Sequence, residues 1–147
     1  MSQINDVKNA IKTRLDTLVP TYLKAVEITD ITRDPLDMDL QSYPVAFIMP
    51  PAIATVELYD TVNVLRELTF TIMVIEKMEN VSTTSQVEDL MQVMLNTIDS
   101  SITLGGVAVG GVQPTSSFPE PFIHNARSLV VFDIIIKART LTTLTYN

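Results

Sequence analysis

Ile4, Val7, Ile11, Leu15 and Leu18 recur every three or four residues, the period of one helix face, which predicts a helix over residues 3–18. Lys8, Lys12, Arg14 and Asp16 fall on its other faces. Val19-Pro20 closes it, because a residue before proline is pushed out of the helical region and proline has no N–H. A second stripe, Val87, Leu90, Met91, Met94, Leu95 and Ile98, predicts a helix from Ser85 to the Ser100-Ser101 pair, with Ser85 and Glu88 in capping-box spacing. Elsewhere the period shortens to two. Residues 23–31 alternate weakly, residues 43–49 form an apolar β-rich run stopped by Pro50-Pro51, and residues 52–59 and 64–77 read as a hairpin turning near 60–63. Leu68, Phe70, Ile72 and Val74 share one side of that hairpin's second strand, opposite Glu67, Thr69, Thr71 and Met73. The clearest strand is residues 127–140, where Val130, Phe132, Ile134, Ile136 and Ala138 alternate with Leu129, Val131, Asp133, Ile135, Lys137 and Arg139.

Three stretches break the pattern. Residues 32–42 hold Asp34, Pro35, Asp37 and Asp39 against Arg33 alone and read as an exposed acidic loop. All four glycines lie in 105–111, and with Pro114, Pro119 and Pro121 they predict an extended, irregular connection. Residues 141–147 are a Thr-rich tail with β propensity and no place in the core. The element order predicts an α+β fold, an antiparallel β-sheet with two α-helices packed on one face and a projecting hairpin over 52–64, in a single structural domain of 1–147.

Composition narrows the function. A chain of 147 residues that is 46% hydrophobic and 18% charged is expected to bury a core and not to be disordered. No apolar stretch approaches the roughly 20 residues that cross a bilayer, and charges interleave the first 18 positions, so neither a membrane span nor a signal peptide is expected. The absence of cysteine removes disulfides, thiol catalysis and most zinc sites, and fits a reducing compartment. Seventeen acids against ten bases give a net charge of −7, which disfavours gripping nucleic acid through its phosphates.

Catalytic constellations are hard to assemble. His124 is the single histidine and is expected in an irregular loop, and no Gly-x-Ser-x-Gly elbow occurs. The 105–111 glycines lack the Lys-Ser/Thr that completes a phosphate loop. The aspartates at 30, 34, 37 and 39 lack the spacing and closing glutamate of a calcium loop, so Asp34, Asp37 and Asp39 are expected to be a solvated acidic loop that repels phosphate or meets a basic neighbour. No enzymatic activity, cofactor or metal is expected.

Apolar surface is what remains. Residues 129–136 are hydrophobic on both sides, whereas helices on one face of a sheet cover only one of them. Another copy of the chain, or a different protein, is expected to cover the rest. The candidate contacts are Val56, Leu58, Tyr59, Val62 and Val64 at the hairpin tip, and Leu141, Leu144 and Tyr146 in the tail, whose two- and three-residue spacing suits a strand added to a neighbour's edge.

The arrangement resembles the tail terminator, or tail completion, proteins of long-tailed bacteriophages. The resemblance rests on the helix ending in Leu18-Val19-Pro20, on Tyr43-Pro44-Val45-Ala46-Phe47-Ile48-Met49-Pro50, and on a hairpin leading into Arg66-Glu67-Leu68-Thr69-Phe70-Thr71-Ile72. It continues through the helix over 85–99 and the closing strand over 127–138. It implies a virion protein assembled in the host cytoplasm as a ring, usually a hexamer, that caps the tail tube protein and docks the head connector or neck protein. Double-stranded DNA would pass through the ring unbound, and an acidic wall suits that by repelling phosphates. The family carries no catalytic residues. Head–tail joining and stopper proteins share this size and mix of elements, and a non-phage α+β adaptor or ligand-binding domain is the alternative from another class.

Overall fold

The computed structural model describes residues 3–30, 32, 34–37, 43–58, 62–81, 83–99, 112–124 and 127–143. Two helices, α1 (Gln3–Asp16) and α2 (Thr84–Asp99), accompany strands β1 (Ala25–Ile28), β2 (Val45–Ile48), β3 (Ala52–Leu58), β4 (Asn63–Lys77), β5 (Val112–Ser116), β6 (Glu120–His124) and β7 (Arg127–Thr143). The seven strands form one mixed sheet, so the fold is α+β as expected.

Its backbone is the antiparallel pair β4 and β7, matched without a slip from Asn63↔Thr143 to Lys77↔Leu129. Each long strand is flanked by two short ones laid end to end: β2 and β3 along β4, β6 and β5 along β7. Prolines mark both breaks. Had the register of Ile48↔Ile72 run on through Pro50-Pro51, Ala52 would oppose Leu68; it opposes Thr69. Likewise Ser116 faces Ile134, but after Pro119 residue Glu120 faces Val131 where Val130 would be due. A proline supplies no ladder N–H, so each flanking strand slips there.

Both helices bury their stripes on one face of this sheet. Val7, Ile11 and Leu15 of α1 and Val87, Leu90, Met94 and Ile98 of α2 join Ala46, Ile48, Leu68, Phe70, Ile72, Val74, Phe132, Ile134 and Ile136 in one core. Arg14 Nη2 donates to Thr97 O at 3.1 Å, tying α1 to the carbonyl end of α2, where a cation also meets the negative pole of the helix.

Several expectations change. The helix begins at Thr84, so Ser85 and Glu88 lie inside it and do not form the cap. The sheet is not wholly antiparallel, since β1 runs parallel to β2. Parallel neighbours require the chain to travel back between them, and the long acidic segment before Tyr43 is that return. The proline-rich stretch is not irregular but supplies β5 and β6. Nor does the hairpin stand free, because the β4 residues that pair with β3 also pair with β7 on their other side. Val64 is accordingly buried and not a surface contact. The first three tail residues complete the domain's own sheet, with Leu141↔Leu65, Thr142↔Val64 and Thr143↔Asn63. The 105–111 glycines lie outside the described residues.

Candidate interface

The sheet face away from the helices divides in two. At the β2 end, Tyr43, Val45, Phe47, Ile75 and Leu129 are buried in a second cluster, and Leu36 packs on it from the turn Pro35–Asp37. That turn is held in place by polar groups. Asp34 Oδ1 accepts from the Leu36 N–H at 3.0 Å, and Arg127 donates to Leu36 O at 2.5 Å and to the Tyr43 hydroxyl at 3.2 Å. Lys77 Nζ sits 5.2 Å from the centre of the Tyr43 ring. This part of the second face is therefore covered by the chain itself, contrary to the expectation that another copy or a different protein does so. Toward the hairpin the same face turns polar and open, with half-buried Thr69, Thr71 and Ile135, exposed Lys137, and Arg139 paired to Glu67 at 3.5 Å.

The aspartates of the acidic loop act locally. Besides Asp34, Asp30 Oδ1 accepts from the Thr32 N–H at 2.9 Å, so both carboxylates close turns. Asp37 ends the short turn carrying Leu36, and Asp39 lies outside the described residues. Among the described residues no three His, Asp or Glu side chains converge. The described helices include none long and apolar enough to cross a membrane.

Of the predicted contact residues, Val62 and Leu141 are exposed at the hairpin end of the sheet. Leu58 pairs with Val64, and the Val56 and Leu58 side chains, with Tyr59, Leu144 and Tyr146, lie outside the described residues. The structure brings Leu141 beside Leu65 on the β4–β7 ladder.

A surface the sequence pattern did not single out lies along β5 and β6. Ser117 stitches the slip between them: its N–H donates to Asp133 O at 2.9 Å and its Oγ accepts from the Asp133 N–H at 2.8 Å. Because main-chain groups alternate sides along a strand, this bond sets the odd-numbered residues of β7 toward β5 and β6. Pro114 and Pro121 pair with Ile136 and Val130, in the opposite phase, so the N–H each one lacks would have faced the open edge. Around them stand Phe118, 87% exposed, Ile123, 77% exposed, and Phe122, which stacks on His124 with ring centres 6.1 Å apart. His124 is thus a half-buried strand residue, not a loop one. An open hollow of about 170 Å³ lies between the start of α2 and β6, lined among the described residues by Met78, Val81, Val87, Pro119, Pro121 and Val130 with Thr84. The signal available in sequence was Phe118 set one residue before a proline in an otherwise small and polar stretch.

Asp133 is the one acid on the apolar strand β7. Its Oδ1 is buried without a hydrogen-bond partner, and burial first, then the nearby Glu120 carboxylate, pushes its carboxyl above the ordinary aspartate range.

No protein-family model matches the sequence, and neither does any curated protein. The fold does have solved counterparts. The chain is similar in structure to one from the virion of a native gene transfer agent (GTA) particle, with a TM-score of 0.56 and 12% identity, across 92% of this chain and 93% of that one. At that identity the likeness establishes a shared fold, end to end.

Proposed function

We propose that this chain is a ring-forming structural component of a phage-like virion, seated where the tail tube meets the head. One observation carries the reading: a fold shared over nearly the full length of both chains with a component of a gene transfer agent virion. The sequence resemblance to tail terminators supports the finer assignment, in which six copies cap the tube, end its polymerisation and present a docking surface to the connector. Contacts between copies are heterologous, since only head-to-tail surfaces close a ring. The work is mechanical, with no turnover chemistry or cofactor, and the net charge of −7 lets DNA pass without being held.

The test is assembly on tubes. Purified chain added to polymerising tail tube protein should leave annular density at one tube end and tubes of limited length in negative-stain images. Ring particles of about 98 kDa, six subunits of 16.3 kDa, should appear by mass photometry of material released from those ends. Bare ends and unchanged tube growth would remove the tail-capping role. Binding to isolated connectors in place of tubes would assign the chain to the head side of the neck.

A further inference from the structure

We infer that Asp133 and Glu120 form a proton-operated latch between strands β7 and β6: sharing one proton they fasten the edge strand, and as two carboxylates they loosen it. This device stands independently of the tail role.

The register places the pair. Glu120 lies directly opposite Val131, two positions along β7 from Asp133, and side chains two apart on a strand share a face. The two carboxyl groups are therefore diagonal neighbours across the β6–β7 pair, within reach of one another. Ser117 pins the chain at the same place by bonding both main-chain groups of Asp133. The Asp133 carboxyl thus stands where the slip ends and β6 begins to pair.

The chemistry leaves that carboxyl unsatisfied. Its Oδ1 is buried with no hydrogen-bond partner, which is costly for an ionised acid and more so beside a second one. Among the described residues nothing on that face neutralises it. Strand β4 sets Met73 opposite Asp133 with Thr71 and Ile75 on either side, β7 itself adds Val131 and Ile135, and β5 brings Thr115. Lys77, opposite Leu129, and Lys137 lie four residues away in either direction along the ribbon, about 13 Å at the rise of a strand. Glu27 lies on β1, three strands across, and Arg139 lies beyond Lys137, paired to Glu67.

A proton supplies what the neighbours do not. Protonated Asp133 donates from its carboxyl to a Glu120 oxygen, a bond that spans the two strands. On ionisation the proton leaves to solvent, and two like charges face each other across the same gap. Burial first, then Glu120, moves this exchange above the ordinary aspartate range. Because the charged form opposes docking, β6 is held more firmly as pH falls. The amides that report it are Glu120 and Phe122, whose partners Val131 and Leu129 turn their main-chain groups toward β6.

The test is hydrogen exchange on the full chain, read residue by residue by NMR and corrected for the intrinsic pH dependence of exchange. Lowering the pH from about 7 to about 5 should raise protection of the Glu120 and Phe122 amides roughly threefold or more, while Phe70 and Phe132 at the centre of the sheet stay unchanged. Asp133→Asn keeps the shape of the protonated acid and its ability to donate to Glu120. It should show at neutral pH the protection that the wild type reaches in acid, and little change with pH. Glu120→Ala should lose most of the gain in acid, since the proton on Asp133 then has no acceptor across the strands. The inference is overturned by β6 protection that ignores pH in the wild type, by a gain in acid that survives in full in either variant, or by a change shared equally by Phe70 and Phe132.

Discussion

The two faces of the β4–β7 ribbon are built from similarly apolar sequence and covered by different means. On one, Leu68, Phe70, Ile72, Val74, Phe132, Ile134 and Ile136 meet two amphipathic helices and are buried along the whole contact. On the other, Phe47, Ile75 and Leu129 are equally buried, yet the described residues that join them from outside the strands are Tyr43, Met49 and Leu36, the last on a turn held by Arg127. Helices cover continuously because their stripe repeats. A turn covers locally, through one side chain and a few polar bonds. Among the described residues the second face is closed where that turn lies, and beyond it Thr69, Thr71, Lys137 and Arg139 stand beside half-buried Ile135. Apolar pattern therefore states how much surface must be hidden, and not what hides it.

Substitutions sharpen the contrast. Phe70→Ala removes a wholly buried ring from under both helices and should cost about 3–5 kcal/mol in urea unfolding; a smaller loss would mean the helix face can collapse around the gap. Deleting residues 141–147 should cost about 2 kcal/mol and leave the Val64 amide hydrogen exchanging quickly, because the deletion removes Thr142 from its side of the β4 ladder. A truncated chain of unaltered stability would return the tail to a purely external role.

Leu36→Ala should cost about 1–2 kcal/mol, less than the ring, and should raise binding of an apolar dye by opening the second face. If dye binding is unchanged, something other than Leu36 seals that face. Asp133→Asn tests the acid that β7 places on it. With its folded pKa raised above the unfolded value, ionisation opposes folding, so the penalty is absent in acid and grows as pH rises through the carboxylate range. The Asn variant should thus be more stable than the wild type at neutral pH, and the gain should fade as pH falls through the raised folded pKa toward about 4, below which it is absent. A gain independent of pH would point to shape, not charge. Arg139→Ala, on the open part, should shift stability by under about 0.5 kcal/mol, since its pairing with Glu67 is exposed.

The elements legible in sequence are those whose signal is local. Helix α1 follows from the Ile4-to-Leu18 spacing, and β4 and β7 from strict alternation, because one buried face imposes its period on the residues that make it. Composition also pointed to surface contact over chemistry. Of the candidate surfaces, the hairpin end was named from its apolar residues, whereas the β5–β6 edge was hidden among prolines.

The rest was decided by partners distant in sequence. Nothing near Ala25–Ile28 states that β1 will lie parallel to β2, because that depends on where the return segment crosses. Prolines at 114 and 121 argue against a strand until β7 is known to lie on the side where their missing N–H is not needed. Leu141 and Thr142 look like a loose end until Val64 and Leu65 stand beside them. The sequence by itself determined which residues must leave water and with what period. Only the tertiary structure decided which neighbour takes them, because pairing satisfies backbone groups and covers side chains across separations that no local pattern records.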